Sequence, residues 1–472
     1  MADTNDIKTF VEPYVIPEGS PELNSNLRAM AASFAVTDDK IREIIKGFHR
    51  SMAAGLQRDN PDALPMIPTY VCRRPTGKET GTFLALDLGG TNLRVCQVTL
   101  NGDTTYGLVQ QKFTITPEAK DSRLWDFIAE CVGVFLEEHD LHPEKGRRAI
   151  PCGYTFSFPI FQTSIASGNL SMWNKGFVVP NSVGRDVVNL TQSAFQRHHV
   201  PVEIVAILND TVGTLMTSGY SHPDTQMGII FGTGTNAAYW EDLANIPKWP
   251  VPSRGGEMVI NLEWGAFDNA TEILPYTPHD NKLNRKSPNH GLQVFEKMIS
   301  GLFLGEVVRN AVLALVDQRL VFGGRSSEAL NKSYAFDTAY MSEIVSDNSP
   351  DLELVKTVLE STLELPATTL VDRKIVKNVC NMVGSRGVRL SAAAMSAVLL
   401  ARPNLMKNPI SIGIDGSMYQ FYPRFEKDLY DVSRVFLGDD FVDNRLKLHL
   451  AKDGSGVGAA IVAMSVDQER TH

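Results

Sequence analysis

Cysteine is scarce. Five residues in 472, Cys72, Cys96, Cys131, Cys152 and Cys380, are scattered along the chain and odd in number. No two stand at C-x-x-C spacing, which argues against a disulfide framework or a cysteine zinc site and for reduced residues of a cytoplasmic protein. Long apolar runs are missing too. No stretch of about 18 apolar residues occurs, so no membrane span is expected. The opening MADTNDIKTFVEPYV has no basic region leading into an apolar one, so no secretory signal is expected either. Basic residues are outnumbered, 45 Lys and Arg against 54 Asp and Glu, and the net charge of −9 argues against a general nucleic-acid binder. A small polyanion is not excluded by that charge, because backbone N–H groups, one or two local cations and a metal ion can hold phosphates.

What is present is the composition of a globular protein, 43% hydrophobic and 21% charged, with 36 Gly and 25 Pro. The length exceeds one ordinary core, so two lobes are expected. Residues 1–25 are polar and Pro-interrupted and read as a loosely attached arm. From Asp39 to Leu56, the residues Ile41, Ile44, Ile45, Phe48, Met52 and Leu56 recur at helical spacing. From Thr82 the period changes to that of strands. Thr82–Asp87 is apolar, Leu88-Gly-Gly-Thr-Asn92 is a turn, and Leu93–Leu100 alternates to a hairpin signal at Asn101-Gly102. A second such unit runs Met227–Phe231, Gly232-Thr-Gly-Thr-Asn236, Ala237–Glu241. A third, looser one runs Ile410–Ile414, Asp415-Gly-Ser417, Met418–Tyr422, with the last segment expected as a strand. Three strand–turn–strand units point to related halves. Helix-period stretches at Leu124–Phe135, Leu292–Val316 and Ile375–Leu400 lie between them, so an α/β fold with two sheets is expected, its Gly-rich turns facing one another across a cleft.

Phosphoryl transfer needs turns that approach phosphates without a Cβ in the way, inward N–H groups, and a carboxylate for Mg²⁺, directly or through water. Asp87-Leu88-Gly89-Gly90-Thr91-Asn92 supplies these in six residues, and Gly232-Thr233-Gly234-Thr235 supplies a second turn. A plain tight hairpin remains the alternative for either turn alone. No G-x-x-x-x-G-K-[ST] stands at either turn, which argues against a Walker-type site. Gly232-x-Gly234-x-x-Ala237, with Glu257 about 20 residues on, matches a dinucleotide fingerprint. The residues that follow it read as strand where the fingerprint needs a helix. On the acceptor side, the apolar Ile204–Leu208 delivers Asn209-Asp210-Thr211 at its end. Asp210 has two open readings, helix N-cap or general base for a hydroxyl nucleophile. Hydroxyl recognition calls for amides and carboxylates, with Ser157, Asn174, Asn209, Asn236, Glu263 and Glu296 as candidates. Glu296 lies on a helix where a lone Glu usually faces water. Lys175 could set a positive charge on a transferring phosphoryl group.

These residues fall in motifs that resemble the eukaryotic hexokinase family, the fungal glucokinases above all. The resemblance runs from about Leu64 to Ala463, through Leu86–Arg94, Thr155–Pro159, Asn174–Phe177, Asn209–Gly213, Phe231–Asn236, Glu263–Phe267, Phe295–Lys297 and Asp453–Gly456. It implies a two-lobed actin-like ATPase (ribonuclease H-like) fold with glucose and MgATP in the central cleft. It implies phosphorylation of the glucose 6-hydroxyl with Asp210 as base and Lys175 at the phosphoryl group. By the same resemblance glucose, and other hexoses as candidate acceptors, would be held by Ser157, Lys175, Asn209, Asp210, Asn236, Glu263 and Glu296, with Phe158 and Gln293 nearby. Asp87–Asn92, Thr233, Gly234, Thr338, Ser342, Gly416 and Ser417 match contacts to ATP or ADP. The family usually has Thr where this chain has Asn174, a change expected to shift affinity or sugar choice. The small lobe is expected to span 76–208 and regain 454–472, and the large lobe 209–453 with the N-terminal helix 26–75. A monomer and a homodimer both remain open, as does the identity of any metal ligand.

Overall fold

The computed structural model describes residues 4–147, 149–173, 176–249 and 255–471. Its strands are β1 (Ile67–Pro68), β2 (Thr80–Leu88), β3 (Asn92–Asn101), β4 (Tyr106–Thr114), β5 (Ile150–Phe156), β6 (Ile160–Ser164), β7 (Ser167–Leu170), β8 (Val202–Leu208), β9 (Thr225–Phe231), β10 (Thr235–Asp242), β11 (Glu257–Asn261), β12 (Ile410–Asp415) and β13 (Leu446–Leu450). They form two main sheets, ordered β4-β3-β2-β5-β8 and β1-β11-β10-β9-β12-β13, with β6-β7 as a separate hairpin. In the first sheet β2 and β3 are antiparallel, while β2, β5 and β8 run parallel. In the second, β9 and β10 are antiparallel, while β9, β12 and β13 run parallel. The two sheets share one plan.

Alternation along each strand sets the layers. Leu84, Leu86 and Leu88 of β2 face one way, into a core with the helices Leu124–Glu138 and Val187–Arg197. Ala85 faces the other way, into a second core made with the helices Asp210–Ser221 and Gly454–Thr471. That pair of helices lies between the sheets, because Ala238 and Trp240 of β10 and Val259 of β11 close the same core from the far side. Met227, Tyr239 and Ile260 look outward, into the largest core, which includes the 32-residue helix Leu370–Ala401. The order is therefore helices, sheet, helix pair, sheet, helices.

Three expectations fail here. The third strand–turn–strand unit is a strand followed by a helix, Ser417–Phe421. Gly416, at φ 117°, packs so tightly that a Cβ would lie 2.3 Å from the Phe231 oxygen. Neighbours on both sides of β12 are parallel strands, so no returning strand has a place. Residues 1–25 are not loose in their described part. Thr4–Val11 is helical and Pro21–Phe34 begins within the stretch, capped by Ser20. Val11, Ile16 and Leu23 enter the largest core, and Asn378 donates to the Tyr14 carbonyl at 2.9 Å. The expected helix Leu292–Val316 is two helices, Val294–Ile299 and Gly301–Asp317, divided at Ser300.

Candidate active site

Parallel strands end on the same side of a sheet, and their carboxyl ends are where α/β folds place ligands. In the first sheet Leu88 stands beside Phe156, and Thr155 beside Leu208. The Asp87–Asn92 turn, Ser157 and Asn209-Asp210 thus share one edge. The Ser157 N–H donates to the Leu88 carbonyl at 3.2 Å, tying two of them together. In the second sheet Asp415 stands beside Ile230, so Gly232–Gly234 and Gly416-Ser417 share the matching edge. The Gly301 and Leu302 N–H groups, at the start of their helix, donate to the Gly232 and Thr233 carbonyls.

The two edges meet through charge. Asp87 is buried, and its Oδ2 accepts from Arg94 Nη1 at 2.7 Å and from Ser455 Oγ at 2.9 Å. Burial pushes the Asp415 carboxyl above its usual range, Asp453 and Asp87 push the same way, and Arg94 opposes them. Three carboxylates answered by one guanidinium, beside turns whose glycines leave the backbone open, suit a hydrated Mg²⁺ carried by phosphates. Among the described residues no group of three or more His, Cys, Asp or Glu is placed to hold a metal ion. Arg94, Asp415, Asp453 and Ser455 were not singled out as site residues from the sequence, although all four lie in segments quoted above.

Asn209 takes the helix-cap role that was open for Asp210. Its Oδ1 accepts the Thr211 N–H at 2.9 Å and the Thr211 hydroxyl at 2.6 Å, and Asp210 is the first helical residue. Asp210 Oδ1 lies 2.9 Å from the same N–H. Asn236 is the second residue of β10 and points inward, toward the Asp210–Ser221 helix. Its Nδ2 donates to Asn261 Oδ1 at 2.8 Å and Glu263 Oε1 at 2.9 Å, with Asn209 Oδ1 and Thr211 Oγ1 at 3.4 and 3.5 Å. Glu263 adopts a left-handed backbone, φ 53°, just past β11. Glu296 is no solvated helix residue, since its Oε2 accepts the Thr235 N–H at 3.0 Å. Gln293, also left-handed at φ 55°, lies over Gly265, where a Cβ would stand 2.2 Å from its Oε1. Asn209, Asp210, Asn236, Glu263, Gln293 and Glu296 are thus brought to one place. Thr211, Thr235 and Asn261 join them unforeseen, all at strand or helix ends where a polar residue reads as a mere boundary.

Other candidates lie further out. Phe158 is buried in a cluster with Phe156, Trp173 and Phe177. Asn174 and Lys175 themselves lie outside the described residues. Thr338 is buried and its hydroxyl accepts the Gly305 N–H at 2.8 Å, while Ser342 is half-buried on the same helix, Thr338–Ser346. The dinucleotide alternative fails on geometry, since Thr235–Asp242 is a strand and Glu257 is ion-paired with Arg74 at 2.8 Å. Among the described residues no helix is long and apolar enough to cross a membrane.

Residues 26–220 and 226–465 match two family models, each described as hexokinase. Hexokinase-2 of Candida albicans is 38% identical over 455 residues, covering 94% of this chain and 92% of that one. The glucokinase of Aspergillus niger is 38% identical over 482 residues, covering 94% and 97%. Among solved structures, a hexokinase from Schistosoma mansoni complexed with glucose superposes with a TM-score of 0.83 at 33% identity, over 98% of both chains.

Proposed function

The chain belongs to the hexokinase family and is a hexose kinase, and from that premise we propose that it moves the terminal phosphoryl group of ATP to the 6-hydroxyl of glucose with Asp210 as general base. The observation that carries the assignment is the division of labour at the end of β8. Asn209 caps the helix, so Asp210 is not needed for that task, and it stands beside the amide–carboxylate cluster of Asn236 and Glu263. A carboxylate at the carboxyl edge of parallel strands is placed to take the hydroxyl proton as the oxygen attacks phosphorus. The new O–P bond forms as the bond from the terminal phosphorus to its bridging oxygen breaks, and the proton passes to Asp210. ADP and glucose 6-phosphate result.

On this reading Asn209, Asn236, Glu263, Gln293 and Glu296 hold the sugar, with Ser157, Phe158 and Asn174 from the other lobe. Their hydrogen-bonding groups would be left unmatched by a molecule lacking hydroxyls, which gives discrimination. Lys175 supplies a cation to the phosphoryl group. The Asp87–Asn92 turn, Thr233, Gly234, Gly416 and Ser417 take the phosphates, with Thr338 and Ser342 further along the nucleotide. Mg²⁺, when bound, neutralises phosphate charge, and Asp87, Asp415 and Asp453 would hold it through water. The small lobe would comprise 76–208 with 454–472, and the large lobe 209–453 with 26–75. Closure of one on the other would exclude water and keep ATP from plain hydrolysis.

The test is Asp210→Ala in a coupled assay over a panel of hexoses and nucleotides, with glucose binding followed by calorimetry. Turnover should fall by roughly 10²–10⁴-fold, the range for a lost general base, with glucose binding still measurable. Near-normal turnover would refute the base assignment.

A further inference from the structure

We infer that Asn261 is a positioning residue of the acceptor site, fixing the charged oxygen of Glu263 and the amide of Asn236 in one orientation. This rests on the reading of Asn236 and Glu263 as sugar ligands. Asn261 ends β11, and strand alternation sends it inward on the same face as Val259. Its backbone is held on both sides, opposite Ala238 of β10 and Ile67 of β1. The side chain is buried, with 5% of the residue exposed, so it acts from behind the site.

Three bonds define its task. Asn261 Nδ2 donates to Glu263 Oε1 at 2.9 Å, and Asn261 Oδ1 accepts from Asn236 Nδ2 at 2.8 Å. Asn236 Nδ2 donates its other hydrogen to the same Glu263 Oε1 at 2.9 Å. The triangle closes in only one sense. If the Asn261 amide flips, its NH₂ faces the Asn236 NH₂ and its carbonyl faces a carboxylate oxygen. Two donors on one oxygen also stabilise the ionised form of Glu263, and they anchor a residue whose left-handed backbone is unfavourable on its own. Asn236 Oδ1 is occupied as well, accepting the Ala237 N–H at 2.7 Å. The shortest bonds to the Asn236 amide thus lie within the triangle or its own strand, with Asn209 Oδ1 and Thr211 Oγ1 more distant at 3.4 and 3.5 Å. The carboxylate facing Asn261 is Glu263, while Glu296 and Asp210 stand behind the N–H groups of Thr235 and Thr211.

Asn261→Asp separates positioning from bulk packing. The shape and the acceptor for Asn236 are kept, but a carboxylate now faces Glu263 where a donor stood. In the full chain the KM for glucose should rise about 30-fold or more at pH 8, the scale of a lost bond to a charged group. The rise should shrink toward pH 6, as the carboxylate pair takes up a shared proton. The KM for MgATP should stay within about twofold, and kcat should move less than the glucose KM. Asn261→Ser serves if the first variant fails to fold, and should raise the glucose KM with no added pH slope. Glu263→Gln is measured in parallel. A glucose KM within twofold of the parent in the Asn261 variants, with Glu263→Gln impaired, overturns the inference. Should Glu263→Gln also be unimpaired, the reading of the acceptor site itself falls.

Discussion

Residues 80–208 and residues 225–450 repeat one plan and surround its ends with different side chains. Each starts with a hairpin around a glycine-rich turn, β2–β3 and β9–β10, and each then adds two parallel strands, β5 and β8 or β12 and β13. Each ends by feeding a helix into the space between the sheets, Asp210–Ser221 or Gly454–Thr471. A carboxylate precedes or opens each helix, Asp210 in one half and Asp453 in the other. Their surroundings differ. Asp210 adjoins amides and carboxylates that match hydroxyls, whereas Asp453 adjoins Asp87, Asp415 and Arg94. The hairpin turns diverge too. The first keeps a buried Asp87, and the second is uncharged and delivers Asn236 to the acceptor cluster. The repeated plan supplies two equivalent edges, and a few side chains give the two helix starts different surroundings.

The sharpest way to break this comparison is to remove one member of each set. Asp453→Ala should raise the KM for MgATP by about 100-fold at the upper end, as for loss of an interaction with a charged group, and leave the glucose KM within about twofold. Glu296→Ala should do the reverse, raising the glucose KM by about 10-fold and sparing MgATP. Steady-state kinetics with each substrate varied in turn decides it. If both variants move both constants alike, the two sets of side chains are not chemically separate.

The contact between the halves comes next in size. A Cβ on Gly458 would lie 2.0 Å from the Gly213 oxygen, and one on Gly213 would lie 2.8 Å from Ser455 Cα. The two central helices cross backbone to backbone, with no flexible side chain to give way. Gly458→Ala should cost about 1–3 kcal/mol, the range for overpacking, seen as a lower midpoint in thermal or urea unfolding. An unchanged midpoint would mean that the helices separate freely and that the shared core is not rigid.

How much of this was readable from residues depends on where polarity sits. The two true hairpins were legible because alternation and glycine agree with strand pairing on both sides. The third unit misled because Met418–Tyr422 carries the same apolar content, and only the packing of Gly416 on Phe231 turns it into a helix. The N-terminal stretch hid its anchors, since Val11, Ile16 and Leu23 are spread too thinly among polar residues to show a period. Asp210 and Asn236 stood out as polar ends of apolar strands. Asn261 has the same signature in Met258-Val-Ile-Asn261, but its task depends on a partner two residues on and another on the neighbouring strand. Glu296 could not be placed by helical spacing, because what engages it is the Thr235 N–H of β10. Pairings across elements are tertiary facts, and local pattern does not carry them.

The smallest expected effect lies where the last strand of one half meets the last turn of the other's helix. His222 caps the Asp210–Ser221 helix, and its ring stacks on His449 of β13 at 3.8 Å and 9°. Ser411 Oγ lies 3.2 Å from His449 Nε2. Burial holds the His449 imidazole below its usual range, with His222 and Lys447 acting the same way and Asp224 and Glu426 opposing. The sign follows from linkage. A histidine with a lowered folded value favours the fold fully above its unfolded value, about 6.5, and loses that contribution as pH falls through the folded value. His449→Phe keeps a stacked ring and removes the proton site. Its melting temperature should sit close to the parent's at pH 8 and gain on it by about a few degrees below pH 6. Parallel melting curves across that range would mean that the stack is only packing, and that the two halves meet there without a titrating contact.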